Sequence, residues 1–140
     1  MTYTYSDELY SDFFKDAYGF RPRGEIYARW NAMTPDEKQR EWDMIGDAFD
    51  DRQRAEEAEY ARARAEFNKR VADTIALGAK DEATAIRWII DGADISLKDV
   101  SFYGGSYICH EFGLPYEDET RFAFLVKEIQ ATVDPYEGMI

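Results

Sequence analysis

The segment from Thr34 to Gly78 constrains this chain more than any other, because its local signals start a helix and then supply nothing to stop it. Thr34-Pro35-Asp36-Glu37 reads as a capping box with proline at the first helical position. In such a box the Thr34 hydroxyl accepts from the third backbone N–H, and Glu37 reaches back to the Thr34 amide. No proline follows until Pro115, and the next stop signal is Leu77-Gly78, where glycine suits the left-handed position that ends a helix. At 1.5 Å per residue the span is about 65 Å. A compact chain of 140 residues has a radius of gyration near ~14 Å. The helix must therefore protrude, break, or be covered by a second copy.

Its apolar pattern shows where it needs packing. Trp42, Ile45 and Phe49 form one stripe, and Tyr60, Phe67, Val71 and Ile75 form another at the same helical spacing. Between them, Asp50 to Glu66 is built mainly of Asp, Glu, Arg and Ala. Both ends are expected on a core, with the middle a charged, exposed shaft. Ala55, Ala58, Ala61 and Ala65 would let a second helix approach, which makes a homodimer through the long helix an open alternative. Gly46 costs about 1 kcal/mol relative to alanine inside a helix. A kink there, or a hairpin turn near Asp50-Asp51, is the competing expectation.

The remaining segments also read as helices. Ser6 caps a first helix from Asp7 to Tyr18, with Gly19 as its stop, and Ile26, Tyr27 and Trp30 mark a short second one ending near Met33. Asp81 caps a helix carrying Ala85, Ile86, Ile89 and Ile90, and Ser96 opens another that meets Gly104-Gly105. Those glycines either kink or split that helix, or allow a tight crossing. Pro115 starts the last helix, with Phe122, Leu125, Val126 and Ile129 facing inward. No segment alternates with period two, so the fold class is all-α. A single domain is expected over 1–140: N-terminal helices 1–33, long helix 34–78, a C-terminal helical unit 79–133 and a tail 134–140.

Composition restricts the chemistry. Twenty-nine acidic residues against 17 basic ones give a net charge of −12, a field that repels nucleic acid and anionic membranes and favours basic partners. The opening residues lack the pattern of a signal peptide, and no apolar run reaches membrane-spanning length. The lone Cys109 excludes an internal disulfide. His110, the only histidine, adjoins Cys109, but neighbouring helix positions point about 100° apart, so the two cannot form a catalytic pair. Cys109 is expected inside and His110 on a rim. Zinc-ligand and phosphate-loop spacings are absent, so neither an enzyme nor a metal or cofactor site is expected.

Partner-binding candidates remain. Asp50, Asp51, Glu56 and Glu57 are the acidic residues of the shaft, with too little ligand geometry for a cation loop. Arg21 and Arg23 flank Pro22 in an acidic neighbourhood, where they pair with Asp12 or Asp16 or meet an anion or a partner. Nine aromatic residues fall within the first thirty positions, more than two short helices need for one core. Tyr10 and Phe14 are taken from that surplus as exposed anchors, against the alternative that these rings cover the long helix.

The run Tyr5-Ser6-Asp7 through Tyr10-Ser11-Asp12, then Lys15-Asp16-Ala17-Tyr18-Gly19-Phe20-Arg21-Pro22-Arg23-Gly24, resembles a signature near the start of small, mostly uncharacterised accessory proteins of tailed bacteriophages. Leu77-Gly78-Ala79 with Ala83-Thr84-Ala85-Ile86-Arg87-Trp88 resembles a second block of the same proteins. The resemblance implies an origin, and with it action in the cytoplasm of an infected bacterium. It assigns no residue a role. Together with the charge, it leads to the expectation of an acidic interaction protein that inhibits or redirects a host macromolecule, such as a nucleic-acid-targeting defence complex of the CRISPR or restriction type, by mimicking DNA. A homo-oligomeric scaffolding protein with paired long helices is the alternative.

Overall fold

The computed structural model describes residues 2–136, and the last part of the expected tail, 137–140, lies outside them. The described residues form helices and no strands: α1 (Tyr10–Tyr18), α2 (Glu25–Ala32), α3 (Pro35–Ala76), α4 (Glu82–Gly92), α5 (Leu97–Tyr103), α6 (Gly105–Phe112), a 3-10 helix (Tyr116–Phe122) and α7 (Ala123–Thr132). The all-α class and the long helix of 42 residues are as the sequence predicts. At its start the Thr34 Oγ1 accepts from the Glu37 amide at 3.2 Å, while Glu37 Oε1 accepts from the Thr34 amide at 2.9 Å. At its end Gly78 takes a φ of 128°, and the Ala79 amide donates to the Thr74 carbonyl at 3.2 Å. The helix is unbroken at Gly46 and at Asp50-Asp51.

By compactness the chain divides within α3 into two units, Met1–Ala58 and Glu59–Ile140. The physical reason lies in the pattern of α3: its two apolar stripes belong to separate cores, and the exposed residues 50–59 between them carry no apolar side chain larger than alanine.

In the first unit Tyr10, Phe14, Ala17, Trp30 and Ile45 form the core. The Tyr10 and Trp30 rings stack at 4.0 Å, and Phe13 lies against Trp42 at 4.4 Å. Trp30 Nε1 donates to Asp7 Oδ1 at 3.0 Å, and Lys38 Nζ donates to the same oxygen at 2.6 Å. That pair of donors, Lys38 first, holds the Asp7 carboxyl below its ordinary pKa. The segment before α1 is pinned along α3. Gln39 Oε1 accepts from the Thr4 amide at 2.7 Å, its Nε2 donates to Thr4 Oγ1 at 2.8 Å, and the Tyr3 hydroxyl donates to Asp36 at 2.5 Å. Helix α1 begins three residues later than predicted, because Ser6 Oγ accepts from the Leu9 amide and caps the preceding turn.

The second unit buries Phe67 and Val71 of α3 against α4, α6, the 3-10 helix and α7, with Ile86, Ile108 and Phe122 at most 1% exposed. Ile75, assigned to this stripe by spacing, is 40% exposed, since the last turn of α3 runs past the core. Asp81 and Ser96 cap α4 and α5 as predicted, accepting from the Thr84 amide at 2.8 Å and the Asp99 amide at 3.2 Å. Gly104, with φ 77° and ψ −156°, ends α5 and starts α6, so the glycine pair splits the helix. Gly105 also serves a close crossing: a Cβ there would lie 2.7 Å from the Glu119 carbonyl oxygen. After Pro115 the chain makes a 3-10 helix before α7, where the sequence predicts α-helix throughout. Arg64 of α3 holds this segment by donating to Asp118 at 2.7 and 2.8 Å and to Glu117 at 2.7 Å.

Candidate functional site

Acidity is shared evenly, with 14 acidic against 8 basic residues in the first unit and 15 against 9 in the second. Local arrangement must therefore decide which surface is distinctive. On α3, Asp43, Asp47, Asp50 and Glu57 recur at i, i+4, i+7 and i+14, which places them on one face at about 100° per residue. All four are exposed, and none forms an ion pair among the described residues. The opposite face carries Trp42, Ile45 and Phe49 in the core of the first unit, which fixes the direction of the acidic row.

The arginines of the shaft are largely engaged elsewhere. Arg52 donates to the Lys15 and Asp16 carbonyls at 3.5 and 3.2 Å and so meets the negative end of the α1 dipole. Arg54 pairs with Asp51 one turn away. Arg62 pairs with Glu59 at 2.5 Å, and Arg64 holds Glu117 and Asp118. Of the four acidic residues predicted for partner contact, Asp50 and Glu57 lie in the exposed row. Asp51 is tied to Arg54. Glu56 turns to the other side of α3, where it lines a hollow of about 470 Å³ with Phe49, Arg52 and Gln53.

Arg21 donates to Asp12 Oδ1 at 2.6 Å and to Ser11 Oγ at 3.1 Å, so it secures the turn after α1 on that helix. Arg23 is exposed and forms no ion pair among the described residues. Tyr10 and Phe14 are the clearest corrections: they are 1% and 6% exposed and belong to the core, so neither is a surface anchor. Their spacing matches the inward face of α1, which the surplus of rings obscures in the sequence. Tyr3, Tyr18, Phe20 and Tyr27 are the aromatic side chains left outward in the first unit, and Tyr18 and Phe20 with Phe14, Met33 and Met44 frame a hollow of about 550 Å³ rimmed by the Arg29–Glu41 pair.

A second surface escapes sequence reasoning. Tyr103 and Tyr116 of the second unit are 60% and 63% exposed, and with Ser106, Tyr107 and His110 they line a hollow of about 430 Å³. Helical spacing assigns Tyr103 and Tyr107 to the core; Tyr107 does pack against it, half-buried, whereas Tyr103 does not. The signal that could have found them is compositional: Tyr103-Gly104-Gly105-Ser106-Tyr107 has the tyrosine, glycine and serine mixture of binding loops.

For chemistry, Cys109 is wholly buried while His110 beside it is exposed, the arrangement expected from their adjacency. Burial pushes the Cys109 thiol up to about 11, with the carboxylates of Asp118 and Glu119 adding to the effect. The described residues contain no group of three or more His, Cys, Asp or Glu able to hold a metal ion, and no helix long and apolar enough to cross a membrane. Comparison with protein-family models, with curated proteins and with solved structures gives no match.

Proposed function

We propose that this chain is an acidic interaction protein that occupies a basic, nucleic-acid-binding surface on a host macromolecule. The observation that carries the reading is the exposed row Asp43, Asp47, Asp50 and Glu57, left without paired cations while neighbouring arginines are directed to other partners. Four carboxylates over fourteen helical steps stand on average about 7 Å apart along the α3 axis. One DNA strand presents a phosphate per about 3.4 Å. The helix thus offers a line of negative charge at roughly half the density of a strand. Carboxylates in this role stand in for phosphates and steer encounter with arginine- or lysine-rich grooves. The resemblance to tailed-phage accessory proteins supports a target in an infected bacterium, and a CRISPR or restriction complex has the required basic groove.

The test is affinity capture from a nuclease-treated bacterial lysate, comparing the native chain with a variant carrying Asp43→Lys, Asp47→Lys, Asp50→Lys and Glu57→Lys. The reading expects a nucleic-acid-binding protein retained by the native chain, lost with the variant, and released by added duplex DNA. Retention by both chains, or indifference to DNA, refutes it. A structural, homo-oligomeric role is the second reading, favoured by one observation: Ala58, Ala61 and Ala65 are exposed along one face of α3.

A further inference from the structure

We propose that the hollow formed by Tyr103, Tyr107 and Tyr116 in the second unit is a receptor for an arginine side chain presented by a protein partner. The rings are held in place before any ligand arrives. Tyr103 stacks on Tyr107 with centroids 6.1 Å apart and planes 16° from parallel, and Phe102 meets the Tyr103 ring edge-on at 4.8 Å. Ser106 Oγ donates to the Tyr103 carbonyl at 3.1 Å, which fastens the α5–α6 corner where the rings are mounted. Tyr116, at the start of the 3-10 helix, lines the same hollow. Tyr107 is half-buried against the core of the unit, whereas Tyr103 and Tyr116 leave most of their ring surface in water, where a flat ligand could cover it.

Charge selects the ligand. Burial pushes the Tyr107 pKa up, and the carboxylates of Glu111 and Asp99 beside its hydroxyl add to the effect. A ring face is electron-rich and attracts a cation within about 6 Å, most strongly where water is excluded. Arginine satisfies both parts of the site: its planar guanidinium stacks on an aromatic face, and its fork of N–H donors matches a carboxylate. Lysine offers a point charge with no plane to stack. Nucleobases also stack on tyrosines, but they would bring phosphates towards Asp99 and Glu111, in a unit with 15 acidic and 9 basic residues.

The inference rests on the proposed preference for basic partners, yet it concerns a different unit and is tested without the partner. The probe is a short arginine–glycine peptide, set against the same peptide with citrulline, the neutral isostere of arginine, and followed through the ring resonances of the tyrosines by NMR. Binding of the arginine peptide should shift the resonances of Tyr103, Tyr107 and Tyr116, and citrulline should weaken it about tenfold. Tyr103→Leu and Tyr116→Leu should each weaken it about threefold, the factor for one exposed cation–π contact. Tyr103→Phe and Tyr116→Phe should retain it, since the ring face is kept. Both positions are largely exposed, so the substitutions spare the fold. Equal affinity for the citrulline peptide, ring resonances that do not move, or a single-stranded oligonucleotide that shifts these rings more than the peptide would each overturn the proposal. Reversal of the α3 row leaves the peptide site in place, so failure of one idea is told apart from failure of the other.

Discussion

Replacing Gly105 by alanine tests the packing of the second unit at its tightest point. Gly105 is the first residue of α6, and its backbone takes no left-handed conformation, so alanine by itself would favour the helix by up to about 1 kcal/mol. Space argues the other way. The added Cβ would stand 2.7 Å from the Glu119 carbonyl oxygen, 3.1 Å from the Glu119 Cβ and 3.3 Å from the Glu119 carbonyl carbon. Backbone atoms cannot swing aside as a flexible side chain does, so α6 and the 3-10 helix must separate by roughly half an ångström, a strain of the kind that costs about 1–3 kcal/mol. The separation also disturbs the neighbourhood of Asp118, which holds Arg64. The expected net loss is about 1–2 kcal/mol, or a midpoint lower by about 5–10 °C for a unit of this size. Thermal and denaturant unfolding measure it, with Cys109 alkylation as a reporter specific to the second unit, because its buried thiol reacts only on opening. Gly92→Ala is the control: nothing lies within 4 Å of its Cβ position, and it should not destabilise. A Gly105→Ala protein as stable as the native chain, or more so, refutes the crossing as the reason for this glycine.

Phe14→Ala should cost the first unit about 3–5 kcal/mol, as expected for a ring removed from a core, and urea unfolding followed by Trp30 and Trp42 fluorescence checks it. Acid should weaken the second unit. Arg64 holds the Asp118 carboxyl below its ordinary pKa, as Arg87 does for Glu128, so their contributions are complete above about pH 5 and are lost as pH falls through the lowered folded values. Asp118→Asn should therefore flatten the acid limb of a plot of unfolding midpoint against pH, and an unchanged limb contradicts the assignment. Self-association is read by light scattering: if the alanine face of α3 pairs two copies, Ala58→Glu converts a dimer to a monomer, while a native monomer at high micromolar concentration ends that reading.

Much of this architecture is legible in the sequence because capping is local chemistry. Thr34 with Glu37, Asp81, Ser96 and Gly78 act on backbone groups within a turn or so of themselves, and each ends or starts a helix where its residue type predicts. The division into two units is less legible. The lapse of the apolar stripe between Phe49 and Tyr60 is visible, but whether two stripes serve one core or two depends on long-range contacts. Tyr10 and Phe14 show the same limit from another side. Their inward facing is set by Trp30 and Ile45, residues distant in sequence, whereas the count of nearby rings suggests a surplus. The 3-10 segment after Pro115 is tied to Arg64, more than fifty positions away, a contact that no local pattern announces. Likewise, Tyr103 and Tyr116 escape helical phase because each stands at the end of an element, Tyr103 last in α5 before Gly104 and Tyr116 first in the 3-10 helix.

The central claim is that the acidic row on α3 directs this protein to a basic, nucleic-acid-binding surface. Its most direct test is the association rate with the captured partner as salt rises through 0.1 M, where the screening length is about 10 Å. The account predicts fast association by the native chain that slows steeply with salt, slower and salt-insensitive association when Asp43, Asp47, Asp50 and Glu57 are reversed together, and competition by duplex DNA for the same site. Association that ignores both salt and the reversals, or a ternary complex in which partner binds DNA and this chain at once without loss of affinity, would contradict it.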